Sequence, residues 1–117
     1  MVEYDDIKMQ LSALAPKLDE LTRALDIDAI DAEIATLEEQ SAADGFWNDA
    51  ATSSKVLQKL SSLKNKKASL QSLTGRFEDA QVLIEMAEEM EDTSLVDEAQ
   101  ENVTTLEPDL SAALMQT

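Results

Sequence analysis

Apolar residues recur along this chain at alternating steps of three and four. Tyr4, Ile7, Leu11, Leu14, Leu18, Leu21 and Leu25 form the first such run. This spacing lines one stripe of an α-helix, and a stripe held over several heptads calls for other helices to cover it. Breakers are few: Gly45, Gly75, Pro16 and Pro108 are the only glycines and prolines in 117 residues. That scarcity favours long helices over a sheet with many turns. The expected fold is all-α: an elongated antiparallel helical bundle, coiled-coil-like, with about four helices and a long third one.

The boundaries follow from turn and cap residues. One helical domain is expected over 1–117, with helices at about 3–25, 28–40, 49–90 and 94–116. Pro16 lacks an amide hydrogen and crowds the carbonyl of Ser12, so a kink is expected there. Asp26-Ile27-Asp28 stops the first helix, and an Asp can cap the next. The second helix carries Ile30, Ile34 and Leu37. Ser41 to Gly45 reads as a connection, then Phe46-Trp47, then Asn48 as the cap of the third helix. At 1.5 Å per residue that helix spans on the order of 60 Å. Its first half uses Val56, Leu60, Leu63 and Leu70, with Lys67 in a seam position. Its second half uses Leu70, Leu73, Phe77, Ala80, Ile84 and Ala87. Two steps of three in a row, Lys67 to Leu70 to Leu73, put the halves out of step. With Gly75 just beyond, a bend or break is expected near residues 70–75. Ser94 with Asp97 resembles a capping box for the fourth helix, whose seam is Val96, Ala99, Val103, Leu106, Leu110 and Ala113. Pro108 lies off that seam and predicts a tolerated bend. No stop signal follows Leu114, so the chain is expected to continue past Thr117.

The net charge of −16 is unevenly placed. Residues 1–54 hold 3 bases and 13 acids, residues 55–76 hold 6 bases and no acid, and residues 77–117 hold 12 acids and no base. Acidic ends around a basic centre predict helices that attract one another. The acid excess opposes independent nucleic-acid binding, which relies on Lys and Arg against phosphate, and it steers basic partners inward. No apolar run approaches the roughly 20 residues of a membrane span. The first ten residues carry acids where a secretory signal carries bases. A cytoplasmic protein is expected.

Catalytic chemistry finds little to work with. Cysteine and histidine are both absent, which removes thiol chemistry, the commonest metal ligand and the usual base of a triad. Ser54-Lys55 and Ser62 with Lys66 are formal Ser–Lys pairs, but nothing beside them makes an oxyanion hole. Carboxylate pairs such as Glu38-Glu39 and Glu91-Asp92 lack the alternating acids and central glycine of a calcium loop. No catalytic residue, no metal site and no cofactor is expected. Lys55, Lys59 and Lys66 share one flank of the third helix, with Lys64 and Lys67 on another. They read as ion-pair partners for neighbouring acidic helices, with a minor RNA contact as the alternative. Phe46 and Trp47 read as a buried aromatic anchor closing one end of the bundle, with an exposed partner hot spot as the alternative. Burial would make Trp47→Ala cost several kcal/mol. The five methionines, Met1, Met9, Met86, Met90 and Met115, read as core filling rather than an adaptable groove.

The order of particular residues adds a resemblance. Leu25-Asp26-Ile27-Asp28, then Ile34, Leu37 and Glu38, then Gly45-Phe46-Trp47-Asn48-Asp49 opening a long helix, resemble the amino-terminal helical domain of bacterial peptide chain release factor 2. Val56, Leu63-Lys64 and Glu85-Met86-Ala87-Glu88-Glu89 followed by Glu91-Asp92 fit the same pattern, which runs from about Tyr4 to Thr117. The sister factor, release factor 1, generally lacks the aromatic pair. The family usually has a proline just before that pair, where this chain has Asp44-Gly45, and Pro108 is also unusual.

The resemblance implies a class I translation termination factor that directs peptide release at UGA and UAA stop codons on the ribosome. Such factors read the codon with Ser-Pro-Phe and promote hydrolysis with Gly-Gly-Gln, and neither string occurs here. This stretch would therefore be a non-enzymatic interaction domain. The partners implied are the ribosome at its large-subunit stalk base, the GTPase release factor, and the rest of the full-length factor. A structural coiled-coil or adaptor domain unrelated to translation is the alternative that heptads alone allow.

Overall fold

The computed structural model describes residues 2–117, with side chains from Tyr4 onward. It contains α1 (Val2–Leu25), α2 (Ile27–Ser41), α3 (Ala50–Met90) and α4 (Thr93–Met115), with a 3-10 turn at Phe46–Asn48. No strand occurs among the described residues. The all-helical fold with a long third helix is the one the seams specify.

The chain divides into two compact units. The first comprises Met1–Ala24 and Leu70–Thr117, and the second Leu25–Ser69. In the first unit α1, the later half of α3 and α4 bury one core. Ile7, Leu11, Leu14, Leu18 and Leu21 come from α1, Leu73, Phe77, Ala80, Ile84 and Ala87 from α3, and Val96, Ala99, Val103, Leu106 and Leu110 from α4. These are the seam positions read from the spacing. Polar pairs fix the register. Lys8 of α1 meets Glu88 of α3, and that carboxylate, accepting from the ammonium, holds Lys8 above the usual lysine range. Gln10 and Gln100 exchange amide hydrogen bonds of 3.1 and 3.0 Å between α1 and α4. Arg76 of α3 reaches Asp109 of α4 at 2.8 Å. Late α4 therefore lies beside the middle of α3, as an antiparallel pair requires.

The second unit is an α2–α3 hairpin with a thinner core of Ile30, Leu60 and Leu63, to which Ile34, Leu37 and Val56 add half-buried side chains. Lys67 takes an apolar seam position on α3. It is tolerated because its stem lies along the hairpin while its ammonium reaches Asp31 at 2.6 Å.

Three junction details depart from the sequence reading. The backbone of α3 does not break near residues 70–75, and Gly75 is inside an unbroken helix. The slip in spacing instead changes which face is buried, and it falls at the boundary between the units, at Ser69 and Leu70. By contrast, α4 continues through Pro108 as expected, and α1 likewise continues through Pro16. Second, α4 is capped by Asp92 rather than by a Ser94–Asp97 box. Glu91 alone reverses the chain, at φ 54, and the Asp92 amide closes α3 by donating to the Ala87 carbonyl at 3.0 Å. That 6→1 bond is a Schellman closure. It brings Asp92 into the cap position, where Oδ1 accepts from the Ser94 amide at 2.9 Å and its hydroxyl at 2.6 Å. Third, Asn48 does not cap α3, as described below. The Asp cap expected within Asp26-Ile27-Asp28 is Asp26: it accepts from the Ala29 amide at 3.3 Å from a left-handed backbone at φ 44, a conformation Asp tolerates better than most residues.

A methyl added at Gly75 would meet no atom within 4 Å. Gly75→Ala should therefore stabilise the chain by about 0.5–1 kcal/mol, the usual helix-interior difference between these residues, read as a higher urea midpoint. Leu106→Ala, at a side chain 1% exposed, should lower stability by about 2–5 kcal/mol in the same assay. An unchanged midpoint would mean that α4 does not cover this core.

Candidate functional site

The link between α2 and α3 carries the aromatic pair. Ser41 ends α2, whose last turn holds no base. Gly45 then turns the chain at φ 82 and ψ −3, a left-handed conformation that glycine adopts without a side-chain penalty. The Phe46 amide donates to the Ala43 carbonyl at 3.2 Å, and the Asn48 amide to the Gly45 carbonyl at 3.1 Å. These bonds draw Asn48 into the 3-10 turn, so the next residue becomes the cap. Asp49 Oδ1 accepts from the Ala51 amide at 3.1 Å and the Thr52 amide at 3.4 Å, and Oδ2 accepts from the Thr52 hydroxyl at 2.8 Å. The Thr52 hydroxyl bond, reinforced by these amides, holds Asp49 below the ordinary carboxylate range. The Ser94 hydroxyl, followed by its amide, does the same for Asp92.

Trp47 is not the buried anchor expected from sequence. It is 64% exposed, while Phe46 is half-buried. The reason is the local geometry. Consecutive residues of a 3-10 turn point about 120° apart, so both rings cannot enter one small interior. Phe46 faces a shallow apolar cleft lined also by Gln40, Ala43, Thr52 and Val56. Trp47 stacks on Phe46 edge to face, with ring centroids 4.9 Å apart at 90°, and offers the rest of its surface to solvent.

The lysines divide differently from the expected flanks. Lys59 lies 3.8 Å from Glu33, Lys64 3.3 Å from Glu38, and Lys67 2.6 Å from Asp31. Ion pairing to α2 thus takes one member of the trio Lys55, Lys59 and Lys66. Lys55 and Lys66 are exposed and, among the described residues, enter no ion pair. They stand eleven residues apart on α3, three turns along one face. Ser54, Lys55, Ser62 and Lys66 all lie on exposed helix surface, with no hydrogen bond joining either serine to its lysine among the described residues. No group of three acids able to hold a metal ion is found among them either.

The methionines also depart from expectation. Met9, Met86, Met90 and Met115 are 70%, 43%, 62% and 86% exposed, so they do not fill the core; Met1 lies outside the described residues. Met86 and Met90, with Val82, fall four residues apart on α3, on the side away from the buried seam. This exposed row was missed. The signal that could have found it was its position off the Phe77, Ala80, Ile84 and Ala87 seam. No helix among the described residues is long and apolar enough to cross a membrane.

Taken together, these features define an all-helical module whose helices are joined by exposed ion pairs and whose surface carries Trp47 and a row of apolar side chains. The PCRF domain model matches residues 30–117, and the chain belongs to that family. Over 112 residues, 96% of this chain, it is 35% identical to a protein named peptide chain release factor 2 from Streptomyces avermitilis, and equally so to one from Mycobacteroides abscessus. A third of that name, from Acholeplasma laidlawii, is 33% identical over 75% of this chain. The chain spans 30% of the length of the first two relatives and 24% of the third. No solved structure matches it.

Two outcomes follow from the turn. Trp47→Ala should cost about 1 kcal/mol or less, as an exposed ring with one aromatic contact implies, and Phe46→Ala should cost more. Urea melts compare them, and the reverse order would mean that Trp47 is the buried ring. The caps set an acid response. A carboxylate held below its unfolded pKa contributes stability above that pKa and loses it as pH falls through the folded value. Asp49→Ala and Asp92→Ala should therefore lower the melting temperature near pH 7. Their deficits should begin to shrink as pH falls below about 4, the ordinary Asp value, and disappear as it passes through the lower folded values of the two caps.

Proposed function

We propose that residues 1–117 act as one amino-terminal interaction domain of a class I translation termination factor directing peptide release at UGA and UAA stop codons on the ribosome. The observation that carries this reading is the match to proteins named peptide chain release factor 2 over 96% of the chain. The domain contributes contacts rather than chemistry: it holds neither Gly-Gly-Gln nor Ser-Pro-Phe, and no histidine or cysteine. Its partners in this reading are the large-subunit stalk base, the GTPase release factor and the remainder of the longer factor, in the cytoplasm.

The physical features suit such a role. Hydrogen-bonded turns hold the junctions at both ends of α3, which presents side chains on an ordered scaffold and lowers the entropy lost on binding. Exposed Trp47 is of the residue type most often found at the energetic centre of a protein contact. Lys55 and Lys66, outside the ion pairs to α2, are the side chains left for phosphate contacts within a larger assembly. An adaptor unrelated to translation would account for the heptads but not for the family match.

The reading is tested on ribosomes stalled at UGA with a labelled nascent peptide. The 117-residue chain should release no peptide. The longer protein that includes it should release at UGA and UAA and leave UAG complexes intact. Release by the 117-residue chain, or a longer protein without Gly-Gly-Gln and Ser-Pro-Phe, would defeat the proposal.

A further inference from the structure

On α3, Val82, Met86 and Met90 follow one another at intervals of four, which places them in a row along one face. They are 53%, 43% and 62% exposed. The first unit buries the other side of this segment through Phe77, Ala80, Ile84 and Ala87, so the row is not needed for that core. Its borders are acidic. Asp79, Glu85 and Glu89 are exposed beside it, and among the described residues none of the three is in an ion pair. No base occurs anywhere in residues 77–117.

We infer that this face of α3 docks an amphipathic basic helix from a partner protein, whose apolar side chains cover Val82, Met86 and Met90 while its lysines or arginines meet the flanking carboxylates. The pattern of anchors one helical turn apart suits helix-on-helix recognition, and methionines adapt to differing apolar anchors. Charge decides between occupants. A second copy of this chain would set acid against acid, since each copy carries −16, whereas a basic helix is drawn in and held in register by the same carboxylates. The row is short, so the contact is a weak and exchanging one. The inference needs only the α3 surface, and it stands or falls separately from the reading of stop codons.

The test titrates the 117-residue chain with a labelled synthetic helix that has leucines on one face and lysines on the other. Binding should weaken as salt rises. The double variant Val82→Gln/Met86→Gln should bind roughly tenfold more weakly, the scale of losing contacts at the centre of a small interface, with an unchanged circular-dichroism melt. A peptide of the same composition in scrambled order should bind the parent chain roughly tenfold more weakly as well. Equal binding by the double variant, or by the scrambled peptide, would overturn the inference in favour of unspecific charge attraction. Loss of binding in Trp47→Gln with none in the double variant would overturn it in favour of the aromatic turn. Sedimentation showing a dimer that the double variant abolishes would replace the basic helix with a second copy.

Discussion

Everything in this molecule depends on apolar side chains meeting along helix seams. With so little aromatic content, each core is made mostly of leucine, isoleucine, valine and alanine, and its stability is the sum of many modest burials. Alanines matter as much as leucines here. Ala80, Ala87 and Ala99 are fully buried, and small residues at such places let neighbouring helices approach closely without leaving a void. A seam of this kind tolerates little polar substitution. Lys67 shows the exception, since its charge escapes to Asp31 at the rim.

The same seam explains why a single helix serves two compact units. Up to Lys67 the buried side chains of α3 follow one register, and from Leu70 they follow another. The helix carries on across the change and through Gly75. Local propensity and tertiary packing therefore act at different levels: propensity keeps the helix going, while the register of apolar residues assigns each stretch of it to its own core.

Charge is organised by the same division. The basic segment 55–76 lies between acidic stretches, and four of its six bases find acids within their own unit: Lys59, Lys64 and Lys67 on α2, Arg76 on α4. These pairs are substantially exposed, so each contributes little stability. Residues 27–41 carry acids and no base, and residues 50–69 bases and no acid, so the attraction draws α2 and α3 together without selecting one register. Once the pairs are formed, the charge left over is strongly negative. Membership of the PCRF domain family sets this module in the context of larger proteins, of which this chain corresponds to 30% of the length in the first relatives.

Periodicity by itself determined the helical class, the number of helices and nearly every buried position on α1, α3 and α4, because a step of three or four is a direct statement about one face of a helix. It also located the register slip near Leu70, while residue types rather than spacing offered an Asp cap within Asp26-Ile27-Asp28, and the order of particular residues carried the resemblance to release factor 2. Only the tertiary structure decided what short-range geometry and neighbours decide. Asp49 and Asp92, not Asn48 and Ser94, cap their helices, because the preceding turn or reversal sets where each helix begins. Trp47 lies outside and Phe46 half inside, because adjacent residues of a tight turn diverge. Met86 and Met90 are exposed for a related reason: hydrophobicity says that a side chain can be buried, but whether it is depends on which side of the helix another helix covers.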